Sequence, residues 1–143
     1  MATQNFENHA KFVPGFHIGV LGIFAANIIW SAIRLFRGFD ADHAFGLLVA
    51  IALLLCAFYG RIFALTVQDR VIRLEMRLRM ERVLPAELRG RIAEFSVAQL
   101  VALRFASDAE LPELARKVID GKIEDRKAIK QMVREWQADW LRA

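Results

Sequence analysis

Three histidines and one cysteine are the side chains of this sequence that could ligate a metal ion or a haem group. His9 and His17 lie at one end of the first long apolar run and His43 lies beyond its other end, so they cannot form one site within a single chain. A site on His9 and His17 would need a further ligand from another group or subunit. Cys56 lies inside an apolar run, as is typical of a small core residue. We therefore predict no metal and no cofactor, and a cofactor held by His9 and His17 is an alternative.

Catalytic groups at a recognisable spacing are not found in the sequence. It has no nucleophile–base set, no glycine-rich phosphate loop and no pair of carboxylates within an apolar run. The net charge of +4 is too dilute for a nucleic-acid surface, which would show a concentrated basic stripe. We therefore predict that the protein is not an enzyme and has neither a nucleic acid nor a small-molecule substrate as a partner.

Apolar and charged residues are segregated along the chain, which is 56% hydrophobic and 25% charged. Residues 15–36 and 44–67 form two apolar runs, each long enough for the roughly 20 residues of a membrane-spanning helix. Both runs must be helical in lipid, because the backbone has no water to bond there. Gly38, Asp40 and Asp42 occupy the short connector. The sequence predicts an all-α membrane protein with a polar segment at 1–14, a two-helix transmembrane hairpin at 15–67 and a small helical domain at 68–143.

The distribution of arginines predicts the orientation in the membrane. The positive-inside rule places the arginine-rich end of the second run in the cytoplasm, and the amino terminus is then cytoplasmic too. Arg34 and Arg37 lie on the predicted outer side, but the later cluster outnumbers them. The first run is also not a signal peptide, because it is too long for the apolar region of one and because Arg34 and Arg37 follow it. The arginine cluster consists of Arg61, Arg70, Arg73, Arg77, Arg79 and Arg82.

Small residues recur at helical spacing in both apolar runs. Such residues let two helix backbones approach closely, and packing drives helix association in lipid. The pattern predicts that the two helices pack along this face. This small-residue seam comprises Gly15, Gly19, Gly22 and Ala26 in the first run and Gly46, Ala50, Ala57 and Gly60 in the second.

The heptad rhythm of the second run continues past the predicted bilayer edge with larger residues. It predicts one helix from about Ala44 to Leu84, which Pro85 ends. Ion pairs at i,i+4, Asp69–Arg73 and Glu75–Arg79, would favour this helix. These larger residues form an interaction surface, here called the apolar seam. Either the carboxy-terminal helices or a second copy of the chain must pack against it. The apolar seam consists of Val67, Val71, Leu74 and Leu78.

Short helices are predicted for the rest of the chain. Ser96 with Gln99, and Ser107 with Glu110, have the spacing of capping boxes, and Gly121 suits the end of a helix. A last helix would carry one apolar stripe, which either packs on the bundle or lies in the lipid headgroup region. The stripe consists of Ile129, Val133, Trp136 and Trp140, and the membrane-surface candidates are Trp136, Trp140, Arg70, Arg73 and Arg77.

Several motifs resemble a known family. They are Gln4-Asn5-Phe6, Asn8-His9, Pro14 and His17 at the start, then residues 99–108, Glu110-Leu111, Ile129-Lys130, Trp136 and Asp139. These resemble a bacterial family of short two-span membrane proteins of unknown function, the domain-of-unknown-function family numbered 6526. The resemblance covers nearly the whole chain and implies a bacterial inner membrane, but no mechanism. We hypothesise that the polar amino-terminal motif contacts residues 103–108.

These observations together predict a multi-pass protein of the bacterial inner (cytoplasmic) membrane with both termini in the cytoplasm. Its partners would be the lipid bilayer and either further copies of the chain or a larger membrane complex. The leading hypothesis is a non-enzymatic scaffold or accessory subunit that assembles through its helices. A membrane-surface module that senses lipid is the second hypothesis.

Overall fold

The structure is a computed structural model that describes residues 5–8 and 12–139. It is all-helical apart from one isolated antiparallel bridge among these residues. The described residues fall into two compact units, one of residues 12–65 and one of residues 5–8 and 66–139. The helices are a π-helical segment Gly15–Val20, α1 Leu21–Arg37, α2 Ala41–Val83, α3 Ala86–Arg89, a 3-10 turn Ile92–Glu94, α4 Val97–Leu103, α5 Leu111–Asp120 and α6 Arg126–Met132.

Two helices are long and apolar enough to span a membrane, as the two apolar runs predicted. The first runs from Gly15 to Arg37 and the second is α2. Almost none of their most apolar stretches is buried: 0% in the first helix and 6% in the second. The apolar runs 15–36 and 44–67 both lie within these helices, and their insertion into a membrane stays a prediction.

In the unit of residues 12–65, the partly covered faces of the two helices carry both large and small residues. Arg34, in the last turn of α1, donates from Nη2 to His43 Nε2 across 2.8 Å. The other ring nitrogen of His43 donates to the carbonyl oxygen of Gly38 across 3.0 Å. The partly or fully buried positions of these two helices within the unit are Leu21, Phe24, Ile28, Ser31, Ala32 and Leu35 in α1 and His43, Ala44, Leu47, Ala50, Leu54, Ala57 and Arg61 in α2.

α2 is a single helix of 43 residues, about 65 Å long at 1.5 Å per residue. It ends at Val83, two residues before Pro85, which has no backbone N–H to continue the helix. The predicted continuous helix from Ala44 to Leu84 is therefore confirmed to within three residues at its start and one at its end.

The unit of residues 5–8 and 66–139 has one hydrophobic core, built by the second half of α2 and the carboxy-terminal helices. α5 packs its apolar side inward, with Leu111, Leu114 and Val118 buried. The other large buried side chains of this core are Met80, Leu84, Leu100, Leu103, Phe105 and Ile129.

One of the two predicted capping boxes forms. Ser96 accepts a hydrogen bond from Gln99 N, and the Gln99 side chain accepts one from Ser96 N, which confirms the first box at the start of α4. The second box was wrong. Ser107 Oγ accepts from Glu110 N across 3.2 Å, but the Glu110 carboxylate instead accepts from the backbone N–H groups of Arg134 and Glu135.

The predicted last helix was also wrong in its second half. α6 ends at Met132, and the chain continues in extended form beside residues 105–107. Gln137 N donates to Phe105 O across 2.7 Å and Ser107 N donates to Glu135 O across 3.0 Å. These long-range backbone hydrogen bonds replace the intrahelical bonds that would form if the helix continued through Val133 and Trp136.

The described amino-terminal residues lie beside the start of α6. A turn at residues 5–8 is held by Asn5 and Asn8, because Asn8 Oδ1 accepts from Asn5 N across 2.7 Å and Asn5 Oδ1 accepts from Asn8 N across 3.0 Å. A cavity of about 510 Å³ separates this turn from α6. Its lining residues are Phe6, Glu7, Asp125, Arg126, Lys127 and Lys130, and a contact between the amino-terminal motif and residues 103–108 stays a prediction.

Candidate functional site

The part of α2 beyond Leu65 has two apolar faces, and the described residues cover one of them. Ile72, Met76 and Met80 are buried in the core. At 3.6 residues per turn this face lies about 170° around the helix from the apolar seam. The seam residues Val67, Val71, Leu74 and Leu78 are 49% to 61% exposed. The chain's own described helices therefore cover the buried face and leave the apolar seam open.

The buried face was not recognised in the sequence. Its residues, Ile72, Met76, Met80 and Leu84, recur every four positions, which is a signal for one side of a helix. The sequence thus contained two apolar stripes on the same helix. Only the packing of the carboxy-terminal helices shows which of the two is internal.

Arg79 attaches α2 to the carboxy-terminal segment beside the buried face. Its Nε donates to Asp108 Oδ1 across 2.7 Å, and Nη2 donates to Gln137 Oε1 across 2.7 Å. The guanidinium also donates to the carbonyl oxygens of Ala106 and Arg104, at 2.7 and 3.1 Å. Since the Arg79 side chain is only 14% exposed, these bonds hold a largely buried cation.

A second ion pair attaches α6 to α2. Arg126 Nη2 lies 3.2 Å from Asp69 Oδ2. Asp69 and Arg79 are thus paired with distant residues, and the predicted i,i+4 pairs Asp69–Arg73 and Glu75–Arg79 do not form. Tertiary ion pairs form in place of the local i,i+4 pairs, because the core brings Arg126 close to Asp69 and Asp108 close to Arg79.

The predicted membrane-surface arginines lie along one flank of α2, between its two apolar faces. Arg70 and Arg73 are exposed and Arg77 is partly buried. Glu75 lies on the opposite flank and is also exposed. Within residues 12–139, Arg70 and Glu75 make no ion pair. The apolar seam is therefore bordered by a basic side chain on one flank and an acidic one on the other.

Trp136 packs against the core of its unit. Its ring centroid lies 4.8 Å from that of Phe105, and its indole N–H donates to Val133 O across 3.2 Å. The apolar ring is thus packed against another aromatic ring and the indole N–H has an acceptor, as expected for a tryptophan that packs in a core. Trp140 lies outside the described residues. The role of either tryptophan at a membrane surface stays a prediction.

The glycines of the small-residue seam make no close contact with another helix among the described residues. A methyl group added at Gly15, Gly19, Gly22, Gly46 or Gly60 would meet no heavy atom of another element within 4 Å. Ala26 is exposed, whereas Ala50 is buried and Ala57 partly buried. The structure thus leaves these glycines facing open space, and their role in helix packing stays a prediction.

A second polar depression is occupied by structural contacts. It is a cavity of about 460 Å³ between α5 and the segment after α6. Glu110 is bonded to the backbone of residues 134–135, and Glu135 accepts from Ser107 Oγ across 2.7 Å. Lys117 donates to Glu113 across 2.6 Å, and this hydrogen bond lowers the pKa of the Glu113 carboxyl. Each carboxylate thus has a local partner.

Among the described residues, no group of three or more histidine, cysteine or acidic side chains is arranged to hold a metal ion. His17 Nδ1 lies 2.9 Å from Val13 O, and its ring stacks on Phe12 with centroids 4.8 Å apart. His9 lies outside the described residues. A cofactor held by His9 and His17 therefore gains no support from the contacts of His17.

The fold and the open face of α2 define a class: an all-helical protein with two helices long and apolar enough to span a membrane and a small helical unit at its carboxy-terminal end. The chain belongs to the family of unknown function DUF6526, whose sequence model matches residues 1–143. No curated protein and no solved structure is similar enough to the chain to give a match.

Proposed function

We propose that this protein is a non-enzymatic scaffold or accessory subunit of the bacterial inner membrane, which assembles with other membrane proteins or with itself through α2. The observation that carries the proposal is the open apolar seam. Four large apolar side chains beyond the apolar stretch face solvent, although the same helix buries its opposite face. Exposed apolar patches of this kind are typical of protein interaction surfaces.

Insertion of both helices is supported by their lack of burial. An apolar core helix of a soluble protein is mostly buried, whereas these two expose nearly all of their most apolar stretches. Exposure to lipid would satisfy such helices without any further partner. The proposal therefore places both helices across the bilayer.

The proposed orientation has both ends of the chain in the cytoplasm. Residues 5–8 belong to the same unit as residues 66–139, and a chain that crosses a bilayer twice has both ends on one side. Arg70 and Arg73 follow the second apolar stretch, so the positive-inside rule favours the cytoplasm for this unit. Arg34 bonds His43 near the connector, which is a local role for an arginine on the outer side.

Fractionation and topology mapping test this proposal. We expect the full chain to remain in membranes washed at alkaline pH and to need detergent for extraction. A reporter that is active only outside the cytoplasm should be inactive at the carboxy terminus and active when inserted after Phe39. Recovery in the soluble fraction, or an active carboxy-terminal reporter, would contradict the proposal.

Particle mass in mild detergent separates a scaffold from an isolated chain. We expect a particle that contains more than one protein chain, as measured by light scattering with the detergent mass subtracted. Leu74→Glu, which puts a charge in the apolar seam, should reduce the particle to a single chain. Arg73→Glu is the matched control, because Arg73 is exposed on the same helix but outside the seam. A single chain in the wild-type particle would count against assembly.

A lipid-sensing module is the second candidate, and a different set of residues favours it. The cavity next to the amino-terminal turn is lined in part by Arg126, Lys127 and Lys130. The ion pair between Arg126 and Asp69 attaches the start of α6 to α2 at a position four residues after Leu65. Basic side chains so close to an apolar stretch suit anionic headgroups. In nanodiscs, anionic lipid should raise the melting temperature of the wild type and not that of Lys127→Gln/Lys130→Gln. Equal shifts in both proteins would exclude this surface.

A further inference from the structure

We infer that the apolar seam binds a second copy of this chain, as a parallel, in-register, two-stranded coiled coil of α2 helices. The inference rests on the proposed function, because copies that share one orientation in a bilayer present α2 to each other in parallel. It goes further in naming the partner, the register and the residues that pair.

The heptad pattern supports two identical helices. With Val71 at position a and Leu74 at position d, the seam reads Val67 (d), Val71 (a), Leu74 (d) and Leu78 (a). Val71 at a followed by Leu74 at d is the order that favours parallel two-stranded coils. Val67 at d and Leu78 at a have the reverse order, so the preference for two strands comes from the central pair. In that arrangement each seam side chain meets its own counterpart, so the large exposed groups of one copy cover those of the other.

The charged flanks fit the same register. Arg70 occupies a g position and Glu75 the following e position, and the g residue of one helix meets that e residue of its partner in a parallel coil. Neither residue makes an ion pair within residues 12–139, and both are exposed. The pairing therefore occurs twice across the dimer, once on each side of the seam.

The seam has a defined end. Glu81 would be the next d residue, and the next g and e positions hold Arg77 and Arg82. Two carboxylates would then meet in the core beside four arginines, so the coil should separate before this turn. Toward the amino-terminal end the next d positions, Gly60 and Leu53, are exposed, whereas the a positions Ala57 and Ala50 are partly buried and buried within the chain.

Disulfide mapping in native membranes tests the register. In a Cys56→Ala background, single cysteines replace Val67, Val71, Leu74 or Leu78, and a mild oxidant is added. A parallel, in-register coil brings identical positions together, so all four variants should form a covalent dimer on non-reducing gels. Arg73→Cys is the control: it is exposed on α2 but outside the seam, and it should remain a monomer.

Charge exchange tests the identity of the partner. In the Leu74→Cys variant, Arg70→Glu or Glu75→Arg alone should lower the dimer yield about five-fold, because each creates two like-charge contacts. The double variant Arg70→Glu/Glu75→Arg should restore the yield. Such rescue requires both residues to lie on opposite copies of the same chain.

The outcomes distinguish this inference from the proposed function. If no seam cysteine cross-links while the detergent particle still holds another protein, self-pairing is wrong and the scaffold proposal stands. Cross-linking of Arg73→Cys as strong as that of Leu74→Cys, or no rescue by the double variant, would also overturn the register. Recovery of the protein in the soluble fraction without detergent would contradict the proposed membrane function itself, whatever the cross-linking result.

Discussion

Leu78 and Met80 lie two residues apart in α2 and face opposite sides of it. Leu78 is 59% exposed, whereas Met80 is 0% exposed in the core. At 3.6 residues per turn the two side chains point about 200° apart. This contrast separates the residues that stabilise a single chain from the residues available to another one, and the two can be tested independently.

Met80→Ala should lower the free energy of unfolding by about 2–4 kcal/mol, because it leaves a cavity in a packed core. Leu78→Ala, on the open face, should change it by less than about 0.5 kcal/mol in a detergent that holds the protein as a monomer. Chemical denaturation followed by circular dichroism measures both values. Equal losses in the two variants would mean that the seam is covered within the chain.

Arg79→Met should destabilise the carboxy-terminal unit by about 2–4 kcal/mol. The change leaves the carbonyl oxygens of Arg104 and Ala106 without their charged donor, and each buried unsatisfied group costs about 1–3 kcal/mol. It also removes the bond to Gln137, so limited proteolysis should cut residues 133–139 faster. Arg73→Met, which alters an exposed arginine of the same helix, is the control and should leave both measurements unchanged.

Gly121→Ala should destabilise the end of α5 by about 1–2 kcal/mol. The added methyl carbon would lie 2.8 Å from Lys117 O, which is backbone and has little room to move. Gly90→Ala is the matched control, since a methyl group there would meet nothing within 4 Å. Thermal unfolding compares the two, and a loss at Gly90 as large as at Gly121 would contradict the steric argument.

Lys122→Gly should raise stability by up to about 1 kcal/mol. Lys122 has a φ of 47°, a left-handed conformation in which glycine has no side-chain clash. The greater freedom of glycine in the unfolded chain offsets part of this gain. A loss above about 1 kcal/mol would show that the lysine side chain makes a contact that outweighs the strain.

Glu113 should titrate below its ordinary pKa of 4.5, because Lys117 donates a hydrogen bond to its carboxylate. A pKa that is lower in the folded than in the unfolded state stabilises the fold above the unfolded value, and this contribution is lost as the pH falls through the folded pKa. Carbon-detected NMR of the carboxyl group measures the midpoint. Lys117→Met should return it toward 4.5, and an unchanged midpoint would exclude the hydrogen bond as the cause.

Features that depend on neighbouring residues were predictable from the sequence. Pro85 ends α2 because it lacks a donor, and Ser96 with Gln99 closes a local ring of hydrogen bonds at the start of α4. The two long apolar helices follow from composition alone. In each case the physical cause lies within a few residues of the feature itself.

Features that depend on distant residues were not predictable. Arg79 had a local candidate partner in Glu75, but the core brings Asp108 to it from 29 positions away. The periodic stripe after Met132 suited a helix, yet backbone bonds to residues 105–107 hold that segment extended. Both apolar stripes on α2 were visible in the sequence, and only the packing of α4 to α6 decided which stripe became internal.

Asp69 and Arg79 fasten the carboxy-terminal helices to α2 at two points about 15 Å apart along its axis. Two attachments at different heights on one helix oppose rotation of the attached helices relative to α2. If this part of α2 turns about its own axis, the helices fastened to it must turn through the same angle. A rotation of α2 would thus reorient the surface of the carboxy-terminal unit as a whole, without changing the packing inside that unit.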